Sequence, residues 1–428
     1  MRSAGTASGP KGSRHPREGG PRWSASTEWS FQCISCGSES DEAGEAPAGF
    51  RCAGCGDLLQ LVIKGPPPTD IFPRGGSPSV FRYMSALPVR GEPVSLGEGG
   101  TPLLASRRIG PSFGLRDLYL KNEGQNPTGS FKDRGMAVAV TAARRSGARV
   151  LVCASTGNTS ASLAAYASRA GLESAVVIPD GKVAQGKLTQ AVAYGTKVVR
   201  VAGGFDDALK MTLRLVARSR VFYPVNSINP YRIEGQKTVS LEVYEQLGRK
   251  VPDYVVLPVG NAGNISAVWK GFRELKAWGV ADGLPRLVGV QAAGAAPIAE
   301  AYSKGLGSVR PWENPETVAS AIRIGNPVSW KKAQAAVRES GGMVVAVEDR
   351  EIVRAREEMS RKEGVFVEAA SAAPVAALKL LDGMIPKDST VVCIATGTGL
   401  KDQEAVDWKM DSMPLASDDD SLARLLSP

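Results

Sequence analysis

Short apolar runs alternate with amphipathic stretches along most of this chain. The runs Arg149–Ala154, Ser174–Ile178, Lys197–Val201, Tyr254–Leu257, Leu287–Gln291 and Thr390–Ala395 are rich in Val, Leu and Ile and predict buried strands. Apolar positions at helical spacing predict helices over Ser160–Arg169, Lys187–Tyr194, Asp206–Ser219, Thr238–Leu247, Ile265–Trp278 and Glu351–Lys362. Near-continuous apolar strands separated by helices point to an α/β fold with parallel sheets covered on both faces. No fixed repeat is evident. At 428 residues the chain exceeds one ordinary core, so two or three folding units are expected.

The flanks are patterned differently. Residues 1–28 are rich in Gly, Ser and Arg and predict a disordered tail. Residues 29–63 carry two CxxC pairs, and Gly65–Asp70 (GPPPTD) reads as a stiff linker beyond them. The end, residues 411–428, is polar, carries Asp418, Asp419 and Asp420, and predicts a loose acidic tail.

Composition changes this picture little. With 43% hydrophobic and 22% charged residues the chain reads as soluble and globular. No window is apolar enough for a membrane helix, and the basic N-terminus has no apolar block after it, so a cytoplasmic protein is expected. The net charge of +9 comes partly from Arg2, Lys11, Arg14, Arg17 and Arg22 in the tail, against Glu18 alone. The rest is spread out without aromatic interleaving, so no nucleic-acid partner is expected. An anionic substrate and an anionic cofactor account for retained positive charge equally well.

His15, in the tail, is the only histidine. Ser-His-Asp and Cys-His catalytic groups and histidine metal sites are therefore excluded from the body. Acid–base work falls to lysine, carboxylates, hydroxyls, water or a cofactor. Cys33, Cys36, Cys52 and Cys55 form CxxC…CxxC, which fits a closed, structural four-thiolate zinc ribbon. Gly37 and Gly56, each just after a pair, allow the tight turn. Two disulfides are the alternative, disfavoured in a cytoplasmic chain. Cys153 and Cys393 sit in apolar runs and read as core. The linker implies that the ribbon is separate from the ligand loops.

The stretch with most chemical content is KNEGQNPTGSFKDRG, Lys121–Gly135. Pro127 and Gly129 favour a turn, and hydroxyls and backbone donors precede Lys132. A lysine held in a partly desolvated pocket can lose its proton and attack a carbonyl, the first step of a Schiff base to an aldehyde cofactor. A solvated surface lysine is the bland alternative. Three later loops follow strands, where ligands bind in such sheets. ASTGNTSAS (Ala154–Ser162) crowds Ser155, Thr156, Asn158 and Thr159 at a helix start, more than one N-cap needs. PVGNAGN (Pro258–Asn264) offers Gly260 and Gly263 for close backbone approach to a phosphate. ATGTG (Ala395–Gly399) places Thr396 and Thr398 hydroxyls after a strand, a simple turn when taken alone. VNSINPYRIEGQK (Val225–Lys237) adds Asn226, Ser227, Arg232 and Lys237, either an anion clamp or an exposed polar loop.

These segments, with GEGGTPLL (Gly97–Leu104) and AIRIGNP (Ala321–Pro327), resemble the threonine synthase family in order and content, from about residue 93 to 402. The resemblance implies a two-domain α/β enzyme of pyridoxal-phosphate fold type II, tryptophan synthase β-like, with parallel-rich sheets flanked by helices. The N-terminal zinc ribbon occurs in part of the family. It implies a catalytic region at 64–410 with a smaller subdomain, about 137–225, inserted in the larger one. It implies that Lys132 forms the Schiff base and that Asn158 faces the cofactor's ring hydroxyl. Gly260, Asn261, Ala262, Gly263 and Asn264 would cradle the cofactor phosphate, and Thr396 would meet the ring nitrogen. Ser155, Thr156 and Thr159 would hold the substrate carboxylate; Asn226, Ser227, Arg232 and Lys237 its phosphate. Thr398 stands where the family often has Asn or His. The implied reaction converts O-phospho-L-homoserine and water to L-threonine and phosphate, with a symmetric homodimer expected. The alternatives are a related β-replacement or elimination enzyme, cysteate synthase or threonine dehydratase-like, and a retired scaffold whose ribbon binds nucleic acid or protein.

Overall fold

The computed structural model describes residues 28–41, 48–180, 185–219, 221–402 and 413–426. The expected N-terminal tail, apart from its last residue, and His15 lie outside these residues. The chain opens with β1 (Glu28–Cys33), β2 (Glu39–Asp41) and β3 (Leu59–Lys64), an antiparallel sheet in the order β2-β1-β3. It then lays down β4 (Leu103–Ala105), the one-turn α1 (Ile109–Ser112), β5 (Asp117–Asn122) and α2 (Lys132–Arg145). Next come β6 (Val150–Ala154), α3 (Asn158–Ala170), β7 (Glu173–Pro179), α4 (Gln185–Ala193), β8 (Lys197–Val201), α5 (Phe205–Arg218), β9 (Phe222–Pro224) and α6 (Pro230–Gln246). The chain continues through β10 (Tyr254–Pro258), α7 (Gly263–Ala277), β11 (Arg286–Ala292), α8 (Pro297–Ser303), α9 (Trp330–Glu339) and β12 (Met343–Val347). Last are α10 (Asp349–Glu363), α11 (Ala369–Ala377), β13 (Thr390–Ala395) and α12 (Asp419–Leu426). Helix α12 stands where a loose acidic tail is expected.

β6 to β9 build a parallel sheet in the order β8-β7-β6-β9. The others form β12-β11-β10-β13-β5-β4, parallel except for the edge pair β4–β5. Valine-rich β10 and β13 lie inside it, buried along nearly their whole length, as parallel strands covered on both faces must be. The register pairs Ala395 with Asn122, so the loops after β13 and β5 leave the sheet side by side.

Helices α2 and α6 cross at two glycines. A Cβ on Gly135 would come within 2.6 Å of the Arg232 carbonyl oxygen, and one on Gly235 within 2.7 Å of the Arg134 carbonyl carbon. No larger residue permits that approach, which sets Arg232 beside the first turn of α2. A buried ionic cluster locks the crossing. Arg134 bonds both oxygens of Glu123 (2.6 and 2.8 Å) and of Glu242 (3.0 and 2.6 Å), and Lys121 adds a bond to Glu242 at 2.6 Å. Burial opposes ionisation of Glu242, but Arg134 and Lys121 outweigh it and hold the carboxyl at about 2.

Two expectations are corrected here. Residues 230–237 are not a loop. Asn229 caps a helix by accepting from Tyr231 N (3.0 Å), Pro230 fits its first turn, and every residue through Tyr244 is buried. A helix buried all round has no polar face, so its first turns carried no helical signature. The cysteine unit is also not separate from the body. Trp29, Phe31, Phe50, Leu59 and Leu61 share one apolar core with Met136, Val138, Tyr223 and Tyr231. The stiff linker allows a compact return as readily as a separation.

Candidate active site

Lys132 opens α2, and the turn before it is held by its own neighbour. Asp133 accepts from Thr128 N (2.7 Å) and Thr128 Oγ1 (2.6 Å). Gly129 takes a φ of 82°, and a Cβ there would come within 2.6 Å of Thr398 Cγ2. The turn then zips onto the loop after β13 through Thr398 N to Gly129 O (3.0 Å) and Phe131 N to Thr396 O (3.0 Å). Burial depresses Lys132 to about 7, helped by the positive charge of Arg232 and resisted by Glu368. The amine is thus available as a base and nucleophile near neutral pH. Its Nζ lies 4.0 Å from the centroid of the Phe131 ring.

Asn158 begins α3, and its Nδ2 donates to both oxygens of Glu368 at 3.0 Å. Shared between two acceptors, that donor leaves the amide's second N–H and its carbonyl for a ligand. Glu368 caps α11 and is 4% exposed. Burial pushes its carboxyl up, Asn158 opposes this, and Asp402 adds to it. Gly397 lies against it: a Cβ there would come within 2.5 Å of Oε1, so a larger residue would push the Glu368 carboxylate aside. Glu368 carries no motif in the sequence: it sits between apolar VFV and an alanine helix. The detectable signal was a lone carboxylate in an otherwise apolar stretch.

The loop after β10 becomes a cup at the N-terminus of α7. Ala262 adopts a left-handed φ of 65°, turning the backbone so that α7 begins at Gly263. A Cβ at Gly260 would meet Ile322 Cα at 3.1 Å, so the cup wall is backbone against backbone. Asn261 supports it from outside, accepting from Val328 N (3.0 Å) through Oδ1 and from Ser329 N (3.2 Å) through its carbonyl. Asn264 is 8% exposed, and its Nδ2 has no partner among the described residues. An unpaired buried donor at a helix N-terminus is what an anion would satisfy. Thr396, buried after β13, shares a 2.8 Å hydrogen bond with Ser371, which in turn accepts from Gly397 N (2.7 Å). Ser371 is thereby free to donate to Thr396, which leaves the threonine hydroxyl proton for a ligand.

Arg232 is 3% exposed; among the described residues its side chain makes one bond, Nη1 to Val225 O at 3.0 Å, and its Nε has no partner. Burial lowers this guanidinium to about 10. Ser227 is half-buried in the same segment. Ser155, Thr156 and Thr159 are half-buried at the start of α3, and Ser155 Oγ caps Gly157 N at 3.3 Å.

Two assignments change. Lys237 is fully buried between Glu234 (2.6 Å) and Glu274 (2.5 Å), its Nζ 4.9 Å from the Trp29 ring centroid. It lies five residues along α6 from Arg232, about 140° around the helix, and so faces away from the site. It is not a phosphate ligand. Asn226 uses its amide on both backbone groups of Ala154, accepting from N (3.0 Å) and donating to O (2.9 Å). It fixes the loop Ser155–Thr159 rather than pointing freely at a ligand.

The four cysteines also converge. Their sulfurs lie within 4.8 Å of one another, with Cys33 to Cys55 at 3.3 Å and Cys36 to Cys52 at 3.6 Å. Four sulfurs about 2.3 Å from one zinc stand about 3.8 Å apart, so the set fits that ion. Gly37 and Gly56 take left-handed φ values of 71° and 73° at the two turns.

Residues 94–397 match the family described as pyridoxal-phosphate dependent enzymes. The threonine synthase of Methanocaldococcus jannaschii is 51% identical over 383 residues, covering 87% of this chain and 93% of that protein. The chain belongs to this pyridoxal-phosphate-dependent family and, within it, to the threonine synthases. The Mycobacterium tuberculosis threonine synthase is 51% identical over 342 residues, 79% of this chain and 91% of that protein. Among solved structures, the processed threonine deaminase isoform 2 of Solanum lycopersicum superposes with a TM-score of 0.61 at 22% identity, covering 81% of this chain and 98% of that one. Maize serine racemase gives 0.59 at 24%, covering 70% and 88%. These likenesses show the fold alone. No helix among the described residues is long and apolar enough to cross a membrane.

Proposed function

We propose that this threonine synthase converts O-phospho-L-homoserine and water to L-threonine and phosphate at the site around Lys132. Arg232 carries the reading. A buried guanidinium close enough to depress Lys132, with no carboxylate partner among the described residues, is costly until an anion joins it. A substrate phosphate does so with two charge-assisted bonds. A plain dehydratase substrate offers nothing at that position.

The residues present fit the cofactor. The unpaired Asn264 amide and the N-terminus of α7 suit its phosphate, with Gly260, Asn261, Ala262 and Gly263 as backbone wall. Thr396 suits its ring nitrogen and Asn158 its ring oxygen. Pyridoxal phosphate supplies an aldehyde that condenses with amines and a ring that withdraws electrons from the substrate Cα. Lys132 would be the base that takes protons from the substrate Cα and Cβ and returns them to Cγ, which becomes the methyl of threonine, and to Cα. Glu368 keeps Asn158 oriented. Ser155, Thr156 and Thr159 bind the substrate carboxylate at the start of α3. Arg232 and Ser227 hold the phosphate while the bond at Cγ breaks, and water then adds at Cβ. The four cysteines hold a structural zinc ion, and the chain works as a symmetric homodimer in the cytoplasm.

Arg232→Ala tests this. Efficiency with O-phospho-L-homoserine should fall roughly tenfold or more, for a lost charge-assisted contact of about 1.5–3 kcal/mol. Visible absorption of the bound cofactor should survive. Unchanged efficiency would remove the phosphate-clamp argument.

A further inference from the structure

Among the described residues the Arg232 side chain has one hydrogen bond, to Val225 O, so its position depends on the path of the backbone through Tyr223–Arg232. That path is held from the cysteine unit. Phe31 meets the ring of Tyr231, the residue next to Arg232, edge-on at 6.1 Å and 83°. Phe50 meets the same ring at 6.2 Å and 73°, and the ring of Tyr223 at 5.5 Å and 78°. Phe31 stands two residues before Cys33 and Phe50 two before Cys52, so each CxxC pair delivers one aromatic ring to the segment. Both rings are 1% exposed. Edge-to-face packing of this kind is directional as well as apolar.

The unit is also anchored by polar contacts to α7 and α9. Asp57, two residues after Cys55, pairs with Lys331; Leu61 O accepts from Lys270, and Leu59 O from Lys332 at 3.5 Å. Burial and the neighbouring Lys270 lower Lys332 to about 8.

We propose that Phe31 and Phe50 are positioning residues for Arg232, acting through Tyr231 and Tyr223, so that the cysteine unit holds the substrate-phosphate clamp in place. This rests on the reading of Arg232 as that clamp. A displacement of about 1 Å at a binding group can cost on the order of a hundredfold in rate.

Phe31→Leu and Phe50→Leu test it in the full-length, zinc- and cofactor-loaded enzyme. Inorganic phosphate binding, measured by calorimetry, and KM for O-phospho-L-homoserine should each weaken by roughly three- to tenfold, with kcat within about twofold. Absorption of the bound cofactor should not move. If phosphate affinity and KM are unchanged while only Tm falls, the two rings are core alone and the proposal is overturned. Should a leucine variant fail to fold, Phe31→Met or Phe50→Met replaces it. Arg232→Ala runs in parallel. If it weakens phosphate binding and neither phenylalanine variant does, the brace alone is lost. If it too leaves phosphate binding unchanged, the clamp reading fails and the brace falls with it.

Discussion

Asn158 donates its side-chain amide to both carboxylate oxygens of Glu368 at 3.0 Å. The bond joins α3, which follows a strand of the four-stranded sheet, to α11 beside the six-stranded sheet. It lies close enough to Lys132 for Glu368 to favour protonation of that lysine. Glu368→Gln keeps the shape but lets the terminal amide turn a donor toward Asn158. Loss of a charged hydrogen bond, about 1.5–3 kcal/mol, should lower kcat roughly tenfold or more and weaken cofactor retention. Unchanged kcat and cofactor affinity would show that the bond is idle.

Lys132 should titrate near pH 7. Its folded value lies below the ordinary lysine value of 10.5, so the proton is lost early as pH rises. Capture of pyridoxal phosphate by the apoprotein should therefore speed up through a midpoint at about 7 and level off by pH 9. The unfolded chain binds the proton between about 7 and 10.5 and the folded chain does not, so this group adds stability as pH rises across that window. Phosphate on Arg232 should move the capture midpoint upward. A capture rate still climbing steeply past pH 9 would mean an ordinary, solvated lysine.

Gly235→Ala should be far worse than the usual loss of a glycine. Its methyl would press on the Arg134 backbone, with 2.7 Å to the carbonyl carbon, where no side chain can yield. Overpacking of this kind costs about 1–3 kcal/mol. The urea midpoint should drop, and KM for the phosphorylated substrate should rise because α6 shifts. A variant with wild-type stability would show that the crossing has slack.

The loops carried most of what the sequence said about this site. Asn158, Gly260 and Thr396 follow closely on strands and Lys132 opens a helix after a turn, where turn residues and hydroxyls break an apolar pattern and are visible for that reason. Arg232 and Lys237 read alike in sequence but lie about 140° apart on one buried helix, and only the helix separates them. Glu368 was silent because its role depends on a partner 210 residues away. Docking of the cysteine unit was hidden because Phe31, Phe50 and Tyr231 look like ordinary core residues of their own segments.

Metal removal should reach the site. Cys33→Ser with Cys36→Ser should release one zinc ion per chain, lower Tm, and raise KM for O-phospho-L-homoserine more than it lowers kcat. Metal analysis and steady-state kinetics on the same preparation check this. Native protein without zinc, with paired disulfides by mass spectrometry, would overturn the metal assignment.

The most direct measurement is product identity. The purified chain, loaded with pyridoxal phosphate, is incubated in parallel with O-phospho-L-homoserine, O-phospho-L-serine and L-threonine. L-Threonine and phosphate should form in equal amounts from the first, with little turnover of the others. Phosphate release that favours O-phospho-L-serine, or 2-oxobutanoate formed from L-threonine with phosphohomoserine untouched, would contradict it.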